Sequence, residues 1–251
     1  MYKTIVVHID GSSRQACRVS VAAVLAKEYG AHVVGTAATG ISWLDFSLLT
    51  GSMTAPMPPT DFDRLRATAQ LRLDEFNGQA ARLGIESAEA CLIDDVPQYG
   101  LLLQSRYADL VILSQDEDED ADADADAAGA GLAAPVRRLP EHVALHGARP
   151  VLVVPPTYRG QPIPGTVVVG WDGSLQAIRA LAAALPLLVR ADSVKLALIN
   201  PDELSELHGE QPGLRTTRAP RGRRRSVAAA QNSSARPPAC TRQTRRGGHN
   251  R

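Results

Sequence analysis

The stretch 4-TIVVHIDGSS-13 decides how the chain is read. Its apolar, β-branched run suits a strand buried on both faces. Gly11, Ser12 and Ser13 break that strand and are residue types that cap a helix. Cys17, Val21, Val24 and Leu25 then recur at helical spacing, and Gly30 closes the helix after Tyr29. A second strand, 32-HVVGTAA-38, follows. The opening is therefore a βαβ unit.

Working outward, residues 39–60 hold 51-GSMTAPMPPT-60 and read as a long irregular connection. Phe62, Leu65, Ala69, Leu73, Phe76 and Ala80 then form one helical face that ends at Gly84. Residues 86-ESAEACLI-93 read as a strand, 96-VPQYGLLLQSRYA-108 as a short helix and 109-DLVILS-114 as a buried strand. A helix over 136-VRRLPEHVALH-146 and a strand at 150-PVLVVP-155 complete the series. Alternating strands and helices imply an α/β fold, a largely parallel five-stranded sheet in an open three-layer sandwich.

The opening returns further on. Residues 156–165 are rich in Pro and Gly and read as a linker. Then 166-TVVVGWDGSLQAIRALAAALPLLVRADSVKLALIN-200 repeats strand, Asp-Gly-Ser, Ala-rich helix and strand at nearly the original spacing. The domain plan is thus 1–155, a linker at 156–165, a partial second copy at 166–200 and a tail at 201–251.

Charge is unevenly placed in this chain of net charge zero. The turn after Ser114 carries eight carboxylates between Asp116 and Asp126. From Gln211 to Arg251 there are eleven Arg, no acidic residue and no aromatic, a composition that cannot bury enough surface to order itself. The repeat breaks off inside its βα series, and the tail is Arg-, Ala-, Pro- and Gly-rich text. The expectation is an out-of-frame end of the second copy. Two further readings of the tail are pairing with the acidic turn and phosphate binding to nucleic acid; the lack of interleaved aromatics speaks against the second.

Cys17, Cys91 and Cys240 share no CxxC spacing and read as free thiols or small buried hydrophobes. The first strand is too short for a signal peptide, and no apolar run reaches the ~18 residues of a membrane helix. A cytoplasmic location is expected.

The pieces 5-IVVHIDGSS-13, 109-DLVILS-114, 150-PVLVVP-155 and 168-VVGWDGS-174 together resemble the universal stress protein family, in its tandem two-domain form with an incomplete second domain. The resemblance implies the sandwich above, a homodimer or a pseudo-dimer of tandem copies, and a role in stress adaptation without catalysis. Family members that bind ATP carry G-x2-G-x9-G-[ST] after the fourth strand, where backbone N–H groups and a helix N-terminus meet the phosphates. The resemblance places Asp10, Gly11, Ser12 and Ser114 at the nucleotide positions, with Asp172 matching Asp10 in the repeat. The phosphate motif itself is missing. Ser114 stands for the first Gly, Gly129 and Gly131 are two apart, and Arg137 and Arg138 stand where Gly-Ser opens the last helix. ATP brings about four negative charges, and two like charges 4 Å apart cost about 4 kcal/mol at an effective dielectric of 20. No bound cofactor is expected, and the chain is expected to work through protein contacts. The alternative is an ATP-binding module with at most weak ATPase activity.

Other constellations point to structure. The acidic run lacks the Gly and Glu positions of an EF-hand, whether started at Asp118 or Asp122. His142 and His146 have zinc spacing, but no third ligand is evident. His8 sits in a core strand as a packed histidine. No nucleophile elbow, P-loop or GxGxxG occurs.

Overall fold

A computed structural model describes residues 1–50, 59–115, 138–198 and 229–231. Five parallel strands lie in the order β3-β2-β1-β4-β5, with β1 (Thr4–His8) at the centre. The others are β2 (His32–Ala38), β3 (Ala88–Ile93), β4 (Leu110–Ser114) and β5 (Val151–Val154). β1 is hydrogen-bonded on both sides, with Ile5 level with Val33 of β2 and Leu110 of β4.

Side-chain alternation sets the layers. Ile5, Val7, Val33, Leu110 and Ile112 join one buried cluster with α1 (Gln15–Tyr29) and α3 (Pro59–Arg82). Val6, Val34, Val111 and Leu113 point the other way and cluster with Leu101 of α4 (Pro97–Ser105) and Leu139 and Val143 of α5 (Leu139–His146). A parallel sheet needs this cover on both faces, which explains the unbroken apolar runs Ile5–Val7 and Leu110–Leu113 in its central strands. The predicted three-layer sandwich is the observed one.

The helix signals act as expected at the C-termini. Gly30 takes φ 60 at the end of α1, and Gly84 takes φ 70 just beyond α3. On α3, Ala69, Leu73, Phe76 and Ala80 are all buried. Phe76 lies against Gly35 of β2 so closely that a Cβ there would sit 2.5 Å from the ring.

Two expectations need correction. Residues 39–60 are not wholly irregular, because α2 (Trp43–Thr50) lies within them. Ser42 caps the helix by accepting from the Asp45 N–H at 3.0 Å, and its hydroxyl donates to the Asp45 carboxylate at 2.7 Å. Phe46 then packs on Phe62, with ring centroids 5.0 Å apart. The tail is the second correction. Ala229–Gln231 forms β8, parallel to β7 (Ser193–Leu198), since strand pairing uses main-chain groups that Ala and Gln supply like any residue. The remaining calls on 201–228 and 232–251, including the frame reading, the acidic turn 116–137 and the 51–58 segment lie outside the described residues.

The chain divides into two compact units, residues 1–165 with 180–191 and residues 166–179 with 192–251. Tyr158 and Ile163, in the stretch that reads as a linker, pack against the first unit's core. Within that unit, Tyr2 and Tyr29 donate to the carbonyls of Ala183 and Pro186 at 2.9 and 3.1 Å. The second unit has a parallel sheet of β6 (Thr166–Trp171), β7 (Ser193–Leu198) and β8. Helix α6 (Leu175–Arg190) connects β6 to β7.

Gly35→Ala is expected to destabilise the protein by about 1–3 kcal/mol through overpacking. Urea unfolding should show a lower midpoint at unchanged slope, and adding Phe76→Leu should recover part of the loss.

Candidate functional site

The C-terminal ends of β1 and β4 meet at the position where α/β sheets usually hold ligands. Here that position is built around a buried arginine. Arg18, one turn into α1, is only 1% exposed. Its Nε donates to the His8 carbonyl at 3.0 Å, one Nη donates to the Ser114 hydroxyl at 2.7 Å, and the other pairs with the Asp10 carboxylate. One guanidinium thus joins the ends of two adjacent strands to the helix that follows the first.

Asp10 has further partners. It accepts from the Ser12 N–H at 2.9 Å, closing a tight turn in which Gly11 takes φ 76. That φ favours glycine, and a side chain there would also meet Arg72. His8 Nδ1 lies 3.8 Å from the other Asp10 oxygen. Burial pushes the Asp10 carboxyl up, but Arg18, His8 and the Ser12 hydrogen bonds outweigh it and hold it at about 2. Burial drives His8 the other way, to about 4, against the pull of Asp10 and with help from Arg18 and Arg72. At neutral pH the cluster is a carboxylate, a guanidinium and a neutral imidazole.

The four residues expected at the nucleotide positions are therefore brought together, and each has an internal partner. Ser114 and Asp10 bond to Arg18, and the Gly11 N–H donates to Gln15 Oε1 at 2.9 Å. Ser12 acts through its backbone in the turn. The capping expected of Gly11, Ser12 and Ser13 is not made by a side chain. Arg14 holds the N-cap position of α1 without a side-chain bond, and the Gln15 N–H bonds to the Ser12 carbonyl instead. Sequence reading missed Arg18. The available signal was a lone charge among Cys17, Val19, Val21 and Ala22 on a helix face read as apolar.

Beside the cluster lies a pocket of about 310 Å³ lined by Ser13, Arg14, Cys17, Ser114, Val154 and Arg159, with two prolines. Arg14 also donates to the Gln115 carbonyl. His142 and His146 stack with centroids 4.5 Å apart in α5. Among the described residues no group of three His, Cys, Asp or Glu is placed to hold a metal. Cys17 and Cys91 are free thiols.

In the second copy, the Ser174 N–H donates to Asp172 at 2.9 Å and Gly173 takes φ 75, the same turn as at Asp10. The position matching Arg18 is Ala180, and the one matching His8 is Gly170. Asp172 accordingly has the turn without the buried arginine.

Comparison with solved structures matches this architecture. A universal stress protein from Archaeoglobus fulgidus DSM 4304 aligns over 92% of this chain and 77% of its own, at 15% identity and a TM-score of 0.54. The fold is that of the universal stress proteins. Two other structures of that fold align over 61% of this chain and 96% of their own. One is a universal stress protein in complex with cAMP, at 21% identity and a TM-score of 0.42. The other is a family protein from Burkholderia pseudomallei, at 18% identity and a TM-score of 0.44. No protein-family model matches the chain, and no curated protein matches its sequence. Among the described residues no helix of this universal stress protein fold is long and apolar enough to cross a membrane.

Asp10→Asn keeps the turn acceptor but leaves Arg18 buried without its counter-charge. Its expected cost is about 3–5 kcal/mol. Arg18→Met combined with Asp10→Asn should cost less than the sum of the two single changes, measured by urea unfolding as a double-mutant cycle.

The pH dependence has a definite sign. His8 titrates at about 4 folded against 6.5 in the unfolded chain, so the unfolded chain takes the proton first. Its contribution is complete above pH 6.5 and is lost as pH falls toward 4, with a slope approaching about 1.4 kcal/mol per pH unit. Asp10 adds a further loss between 3.8 and about 2. Unfolding midpoints measured across this range should show the upper limb flattened in His8→Gln.

Proposed function

We propose that this chain acts in stress adaptation as a non-catalytic universal stress protein, working through protein contacts and taking no ATP in the Gly-rich manner of the family. The observation that carries the reading is the bonding of Asp10 and Ser114 to Arg18. A nucleotide using either side chain would have to displace a guanidinium that is 1% exposed and leave its charge buried. The sequence adds to this, since the turn after Ser114 supplies carboxylates where the phosphate-binding glycines belong.

A second reading rests on the adjoining pocket. Arg14 and Arg159 line it with Ser13 and Ser114, a chemistry that suits a small anion. The cAMP complex among the structures of this fold is in keeping with a nucleotide there.

Isothermal calorimetry of the full chain with Mg²⁺ separates the two. No heat is expected up to millimolar ATP from a sample shown to be folded by circular dichroism. Micromolar binding that weakens in Arg159→Ala would establish the second reading in place of the first.

A further inference from the structure

A second pocket, of about 240 Å³, lies on the face of the sheet away from α1 and α3. Its strand residues are Thr4 and Val6 of β1, His32 and Val34 of β2, and Glu89 and Cys91 of β3. The members of each pair are two apart, so all six side chains share the face on which Val6 and Val34 cluster with Leu101 of α4. Gln104 of α4 and Tyr107 just beyond that helix complete the wall. Val6, Val34 and Glu89 stand level with one another across the three strands. The apolar floor made by the two valines therefore ends in a carboxylate.

Two acceptors in this pocket lack donors. Glu89 Oε2 meets His32 Nε2 at 3.3 Å, and among the described residues its Oε1 has no partner. Gln104 Nε2 lies 3.2 Å from Cys91 Sγ, an arrangement that leaves the amide oxygen without a partner among the described residues. His32 is held on its other side by Ser87, 2.7 Å from Nδ1. Burial and the Glu89 carboxylate push the Cys91 thiol above its ordinary range, so it keeps its proton at neutral pH and adds no charge. No Lys or Arg side chain lines the pocket. Tyr107 lines it while remaining 76% exposed, which puts the ring at the mouth.

We propose that this pocket binds a short-chain primary alkylammonium ion. A primary ammonium carries three N–H donors and no acceptor, the complement of a carboxylate oxygen and an amide oxygen that lack donors. Its bond to Glu89 is charge-assisted, and the Tyr107 ring offers a cation its π face. Val6 and Val34 take the alkyl chain out of water. The volume sets the length of that chain. It holds about eight waters at liquid density and falls below the ~300 Å³ at which sites for drug-sized ligands begin. An anion would be repelled by Glu89 with no cationic Lys or Arg in the lining to offset it. The site lies within the first compact unit and is independent of the nucleotide reading, since neither its residues nor its test involves ATP.

Amide NMR spectra of the full chain, titrated with n-butylammonium chloride, test the proposal. Saturable shifts should appear at Val34, Cys91 and the Gln104 side-chain amide, with a dissociation constant in the millimolar range. Glu89→Gln should weaken the binding about tenfold and Tyr107→Leu severalfold, each with an unchanged circular dichroism spectrum. Butan-1-ol, which has the chain without the charge, should give much smaller shifts at the same residues. An absence of shifts there throughout the millimolar range overturns the proposal. So do shifts that persist unchanged in Glu89→Gln or that butan-1-ol reproduces in full. Shifts confined to the acidic turn at 116–126 overturn it as well, because the cation would then only be screening carboxylates.

Discussion

The organisation of the sheet's C-terminal end depends on one buried guanidinium. Arg18 cannot leave water without a counter-charge and several acceptors, because an isolated ion in a protein interior is costly. Asp10 supplies the charge, and His8 and Ser114 supply the acceptors. Those partners come from two adjacent parallel strands. Meeting the arginine's needs therefore fixes how β1, β4 and α1 stand to one another at the place where folds of this class leave a crevice. His8 stays neutral chiefly because it is buried, with Arg18 and Arg72 adding to the effect against the pull of Asp10.

The two copies show which parts of this arrangement are separable. Strand, Asp-Gly-Ser turn, helix and strand recur with matching backbone geometry. The ionic cluster does not recur, because Ala180 and Gly170 occupy the positions of Arg18 and His8. The βαβ frame therefore forms without a buried arginine. In the first copy the arginine closes a site.

Much of the fold was legible in the chain because its signals are local and periodic. Val and Ile runs marked the strands, and Gly30 and Gly84 marked the helix ends. Phe76 and its neighbours on α3 marked a core face. The lapses have physical reasons. α2 is a short helix started by a Ser42 cap, a weak signal among the glycines and prolines around it. β8 pairs through its main chain, which composition does not report. The site was half legible. Asp10 and Ser114 were found by resemblance, yet their common partner sits on a third element, and the pairing depends on tertiary placement that no spacing in the sequence encodes.

The recurrence of the Asp-Gly-Ser turn bears on how chains of this kind are sorted. In both copies the aspartate answers a demand of its own backbone, accepting the N–H two residues on while glycine makes the left-handed bend. It does so beside a buried arginine and equally without one. An aspartate at the end of the first strand is thus evidence of chain reversal, and ligand chemistry has to be read from whichever residues lie across the crevice from it.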